Sequence, residues 1–194
     1  MVSLFTPRNM ALAGAFALAA CAHSPPTRFF TLAPIPAPRP PASATAIAPV
    51  QLSAVRIPAT LDRPQVVTQL SANRVAVHDL DQWASPLGEM MRRTLAQDLL
   101  ARLPQGAFVL PDAPRPAGAR LLVVDVLQLQ AGVDGEVVLQ ASWTLTTAGS
   151  AQASVIRNVQ LTADGPPGPQ GSAAATSRLL GQLADEIAGA LPPA

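Results

Sequence analysis

Apolar and polar residues recur along the chain in two different periods. In EVVLQASWTLTT, residues 136–147, Val137, Leu139, Ala141, Trp143 and Leu145 fall on one side, and Gln140, Ser142, Thr144 and Thr146 on the other. Period two predicts a strand with one buried face. Residues 152–163 alternate in the same way. ARLLVVDVLQLQ, residues 119–130, is almost continuously apolar at its start, which predicts a central strand buried on both faces. GVDG, residues 132–135, reads as the turn between two of these strands. Further upstream, the apolar parity is even at Val50 and Leu52 and odd at Val55 and Ile57. Such a shift predicts a bulge near Ser53 and Ala54. Short strands are expected around 65–70 and 73–78, with Asn73 at the turn, and a first strand in RFFTLA, residues 28–33.

The other period is helical. In residues 85–104, Leu87, Met91, Leu95, Leu99 and Leu103 recur every fourth position, with Met90 and Leu100 beside them. Ser85 is placed to cap this helix, and Pro86 suits its first position. Glu89 lies near the positive end and Pro104 terminates it. DGPPGPQGS, residues 164–172, breaks the pattern. A last helix follows from about 172 to 190, with Leu179, Leu180, Leu183, Ile187 and Leu191 on its apolar side. Together these elements predict a single compact α/β domain, a mixed and mostly antiparallel sheet covered by two main helices.

The first 27 residues do not belong to that domain pattern. Arg8 is their only charge, and the apolar run Met10–Ala20 is too short to span a bilayer. A charged start, a short apolar core and small residues at the end form a secretory signal. It ends Leu18-Ala19-Ala20-Cys21, which resembles a bacterial lipobox, so residues 1–20 are expected to be removed and Cys21 lipidated. The chain contains one cysteine, so no internal disulfide competes for it. Ala22 follows where an Asp would favour inner-membrane retention in enteric bacteria, which leans towards the outer membrane and its periplasmic face. Residues 21–27 form a tether, and the domain occupies 28–194. Its proline-rich segment, 34–49, is read as a stiff spacer.

Composition narrows the chemistry. All 13 cationic residues are Arg; there is no Tyr, and His occurs twice. Few general acids, bases or nucleophiles are left for an enzyme. A net charge of +1 provides no basic footprint for nucleic acid. GPPGPQGS imitates a phosphate loop, but its prolines remove N–H donors and no Lys is present. HDLD, residues 78–81, offers an imidazole and two carboxylates without the further ligands that zinc requires. Asp125 and Arg157 interrupt apolar strands and are read as paired or edge-exposed charges. No metal, no cofactor beyond the lipid on Cys21, and no catalytic residue are expected.

The stretch IPATLDRPQVVTQ, residues 57–69, sets two prolines around Asp62 and Arg63. Pro58 and Pro64 fix φ and withhold donors, so they are expected to end strands and hold a corner. Arg63 is expected to anchor that corner through Asp62, Asp81 or a backbone carbonyl, with Trp83 packed beneath. From Val55 to Leu103 the sequence resembles the ABC-type transport auxiliary lipoprotein family. The resemblance lies in Ile57-Pro58, in Leu61-Asp62-Arg63-Pro64-Gln65-Val66-Val67, in Asn73, and in Trp83-Ala84 followed by Pro86-Leu87. Thr60 stands where that pattern would have an aromatic. The resemblance implies a non-enzymatic, periplasm-facing membrane lipoprotein. Its partners would be an inner-membrane transporter and a periplasm-spanning MCE-domain protein, with a homo-oligomer as a further option. Asp62, Arg63, Pro64, Gln65 and Trp83 are the candidate partner-binding or structural residues. A general assembly lipoprotein, serving a β-barrel or lipopolysaccharide export, is the competing reading.

Overall fold

The alternating segments form long strands, and the two helical segments cover one face of them. The computed structural model describes residues 25–37, 47–147 and 153–191. Cys21, the signal segment and residues 38–46 of the proline-rich stretch lie outside the described residues. The order is β1 (Arg28–Phe30), β2 (Val50–Arg56), β3 (Gln65–Ser71), β4 (Arg74–Trp83), α1 (Leu87–Arg102), β5 (Phe108–Val109), β6 (Arg120–Ala131), β7 (Glu136–Thr147), β8 (Ala153–Asp164) and α2 (Pro169–Ala190).

The architecture is the expected mixed α/β arrangement, but the strands divide into two sheets. A five-stranded sheet has the order β5-β2-β6-β7-β8, and a three-stranded sheet the order β1-β4-β3. β6, β7 and β8 form an antiparallel meander, while β2 joins β6 and β5 in parallel. The bulge in β2 falls between Leu52 and Ala54, where the parity changes.

β6 lies centrally in its sheet, but only one of its faces is covered. Leu122, Val124 and Val126 are buried, whereas Leu121, Val123 and Asp125 between them are half-exposed. Both helices pack on the same side, so among the described residues no helix covers the second face. The Asp125 carboxylate consequently sits at the surface and pairs with Arg56 at 3.2 Å, its register neighbour on β2. Arg157 is likewise exposed. On β7 the alternation holds throughout, and Val137, Leu139, Ala141, Trp143 and Leu145 all enter the core. β4 extends five residues beyond the expected strand, through HDLDQW, because both of its edges are paired there, β3 on one side and β1 on the other.

Both helix starts differ in detail from the sequence reading. Pro86 occupies the cap position of α1 and no side chain caps it. α2 begins at Pro169, with Gly168 as cap, three residues earlier than the apolar stripe suggests. A Pro at the first position loses no helical bond. A Cβ on Gly171 would come within 1.6 Å of the Pro166 carbonyl oxygen, so only glycine lets the loop fold back on this first turn.

The leucine stripe of α1 is buried from Leu87 to Leu103, as expected, and the buried face extends beyond it on one side. Leu100 is 53% exposed, while Thr94, Asp98 and Arg102 are buried. The cause is a polar clamp. Arg102 donates from Nε to Asp185 Oδ1 on α2 (2.7 Å), and from Nη1 to the carbonyl oxygens of Ile35 (3.0 Å) and Asp98 (3.2 Å). Asp98 accepts the Ile35 N–H at 2.7 Å and lies 3.6 Å from Arg102. Ala33 N–H donates to Ser177 Oγ on α2 at 3.2 Å. The segment after β1 is thereby strapped across the helix pair. Gly181 allows the close approach, since a Cβ there would sit 2.9 Å from Ile35 Cβ.

Burial drives the Asp98 carboxyl up to about 6 from an ordinary 3.8, against the opposing pull of the Ile35 N–H and Arg102, and with Asp185 adding to the rise. The native chain therefore holds an extra proton between these values. Stability from this group is complete below about pH 4 and is lost as pH rises through about 6. Replacing Asp98 by Asn should remove this dependence. Relative to Asp98→Asn, the wild type should gain on the order of 3 kcal/mol between about pH 7 and about pH 4. Urea denaturation of both proteins across that range measures it, and a constant difference would contradict the assignment.

Candidate functional site

The corner between β2 and β3 is built from two successive turns. Leu61 N–H donates to the Pro58 carbonyl at 2.9 Å, and Asp62 N–H to that of Ala59 at 3.2 Å. Arg63 N–H then bonds the Leu61 carbonyl at 2.9 Å. β2 stops at Arg56 and β3 starts at Gln65, so Pro58 and Pro64 both lie between strands, where a missing donor breaks no ladder. The Pro64 carbonyl accepts the Trp83 N–H at 2.7 Å, which ties the corner to the end of β4.

Trp83 is the mount. It is buried, and with Leu61, Val66, Leu87 and Leu129 it lines a small hollow at which both sheets and both helices meet. Leu61 packs its side chain against the core. Asp62, Arg63 and Pro64 remain exposed. A shallow depression of about 250 Å³ runs from Asp62, Arg63 and Pro64 past Trp83 to Ser85 and Pro86. A larger cleft of about 590 Å³ opens on the other side, between the corner, β3 and the uncovered face of β6. Its walls include Leu61, Val67, Val75, Leu127 and Leu129, with Arg63 among its lining residues.

The expected anchoring of Arg63 is not what the structure has. Among the described residues its guanidinium has no ion pair or side-chain hydrogen bond. Asp81 is taken by Arg28, which donates from Nε to Oδ1 at 2.6 Å and from Nη2 to Oδ2 at 2.9 Å. Sequence reasoning missed Arg28 because nothing local signals it. It faces Asp81 only through the parallel pairing of β1 with β4. The hydrogen bonds and charge of Asp81 raise the Arg28 pKa further. In HDLD, His78 Nε2 lies 2.9 Å from Thr68 Oγ1, and its Nδ1 lies 4.0 Å from Asp81 Oδ2. These side chains are thus spent on the strand pairing. Among the described residues no three His, Cys, Asp or Glu side chains gather as a metal site. No described helix is long and apolar enough to cross a membrane.

What this geometry defines is a charge-tipped corner beside a cleft of mixed apolar and polar lining. The profile of the family described as ABC-type transport auxiliary lipoprotein component matches residues 30–188, and the chain belongs to that family. It is similar to the intermembrane transport lipoprotein PqiC of Escherichia coli K12 and to that of Shigella flexneri, 30% identical to each over 95 residues. That match takes in 49% of this chain and 50% of each relative, so the chain spans about half the length of the curated relatives it matches. Two solved structures share the fold. The crystal structure of an uncharacterized protein superposes with a TM-score of 0.70 at 23% identity, covering 87% of this chain and 100% of the other. The protein XCC0632 from Xanthomonas campestris gives 0.61 at 16% identity, covering 84% and 92%.

Since Arg63 projects without a partner among the described residues, Arg63→Ala should change unfolding free energy by no more than about 0.5 kcal/mol. Trp83→Ala should cost about 3–5 kcal/mol, through the cavity it leaves at the junction. Chemical denaturation of the two variants distinguishes a presenting side chain from a mounting one.

Proposed function

We propose that this protein is a non-enzymatic auxiliary lipoprotein of an ABC/MCE-type envelope lipid-transport system. In this reading residues 1–20 are a signal peptide, and Cys21 carries the lipid that holds the protein to the periplasmic face of the outer membrane. The role is to bind a periplasm-spanning MCE-domain partner, which in turn works with an inner-membrane transporter. Family membership supports the transport role, and similarity to the intermembrane transport lipoprotein PqiC supports a place between two membranes.

The observation that carries the reading is the corner itself. Asp62 and Arg63 are held on a stiff double turn above Trp83, exposed and not consumed by the fold. Charged side chains without a structural partner among the described residues, set at the mouth of a cleft of mixed polar and apolar lining, suit recognition of another surface. Catalysis would need a nucleophile or a poised acid in that cleft. The polar groups lining it are Thr60, Asp62, Arg63, Gln69, Gln128 and Gln130; the Thr60 hydroxyl has no histidine or other base beside it in that lining to activate it.

Purification of the native lipoprotein in mild detergent tests the proposal. An MCE-domain protein should co-purify with the wild type and with Gln170→Glu, an exposed position on α2, and should be lost with Arg63→Glu while the melting temperature stays unchanged. A β-barrel protein in its place would favour the assembly reading.

A further inference from the structure

β1 is parallel to β4, and that direction determines from which side the tether arrives. Arg28 is in register with Asp81, and Phe30 with Trp83. The chain preceding Arg28 therefore approaches from the side of Arg74, where β4 begins. From Asp81 back to Arg74 is a run of seven residues, about 23 Å at the usual strand rise. From Arg28 back to Cys21 is also seven residues, which reach at most about 25 Å fully extended. A lipid on Cys21 thus cannot lie much farther out than the tip of the β3–β4 hairpin.

The turn at the tip is Ser71-Ala72-Asn73-Arg74, all exposed, and directly behind it the strands expose two apolar side chains, Leu70 at 40% and Val75 at 47%. A parallel bridge from Gln69 to Gly132 brings the β6–β7 turn alongside, and its Val133 is 57% exposed. Leu70 and Val133 line one hollow. Large apolar side chains from two separate turns, grouped at one end of a molecule, mark a surface that meets something. The same end carries Asp134, Glu136 and Asp164 against Arg74 and Arg178, so attraction to anionic headgroups is not its basis. The fit is to the apolar border of a bilayer, into which short side chains dip.

We infer that the tip of the β3–β4 hairpin and the β6–β7 turn rest on the membrane, with Leu70 and Val133 entering the lipid interface. The inference rests on the reading of Cys21 as the lipid anchor. It gives the protein a defined stance. The Pro58–Pro64 corner, at the base of β3, stands about 20 Å above the lipid, and the loop 110–119 at the far end of β6 points away from it.

The test uses the full lipidated protein in vesicles of phosphatidylethanolamine and phosphatidylglycerol containing a headgroup-nitroxide lipid. Three single substitutions, Leu70→Cys, Val133→Cys and Ala117→Cys, all at exposed positions, carry an environment-sensitive fluorophore. With Cys21 acylated, each introduced thiol is the one that reacts. Probes at 70 and 133 should shift to the blue and be quenched by the nitroxide, while the probe at 117 stays in water. Flotation of the vesicles and mass spectrometry of Cys21 report the anchor separately. An acylated protein that floats, but whose probes at 70 and 133 stay in water or are quenched no more than that at 117, overturns this stance alone. A protein that neither floats nor carries lipid overturns the anchor reading together with it.

Discussion

The guanidinium of Arg102 is buried at the crossing of α1 and α2, and three pieces of chain distant in sequence meet on it. Asp185 supplies a carboxylate from α2, Ile35 a carbonyl from the segment after β1, and Asp98 a carbonyl and a nearby carboxyl from α1 itself. A buried cation costs several kcal/mol to desolvate unless its donors are satisfied. That penalty is what makes the arrangement selective, because only this packing of the helices and this path of the strap satisfy it. The clamp also explains why polar residues are buried beside the leucine stripe of α1. Asp98 and Arg102 are one turn apart on the flank of that stripe, and Leu100 lies on the opposite side of the helix.

From the clamp the constraint passes to the rest of the fold. The strap leads back to β1, and β1 holds the edge of β4 through Arg28 and Asp81. β4 ends at Trp83, whose N–H holds Pro64 and whose ring fills the junction beneath the corner. The segment that would carry the anchor and the corner proposed to meet a partner are therefore connected through one strand. In the proposed role, bridging a membrane and a second protein, such a continuous connection would hold the corner in place relative to the anchor. Among the described residues, Arg28, Asp81, Asp98, Arg102 and Asp185 are consumed in fixing strands and helices, whereas the Asp62 and Arg63 side chains are not.

Much of the fold was legible from periodicity. The alternation in β7 placed five side chains in the core correctly, the parity change in β2 located a bulge, and the two leucine-rich segments became the two helices. The candidate corner was also legible, since proline acts on its own backbone and nothing distant is needed to predict a break. The role of Arg63 was not. Choosing its partner required knowing that β1 lies beside β4, which claims Asp81 for Arg28. The second face of β6 failed for a related reason. Apolar residues on both sides of a strand suggest two covering layers, and whether a layer is there depends on where both helices go.

The sequence by itself determined what local physics governs: the strand and helix periods, the turns, the helix-ending and corner-forming prolines, and a composition poor in reactive groups. Tertiary structure decided which strands share a sheet, which polar residues the helices bury beside their apolar stripes, and which acid each arginine meets. The reason is that local preferences act within one turn or one strand pair. Arg28 finds Asp81 across 53 residues and Arg102 finds Asp185 across 83, and such distant partners are chosen by the whole packing at once.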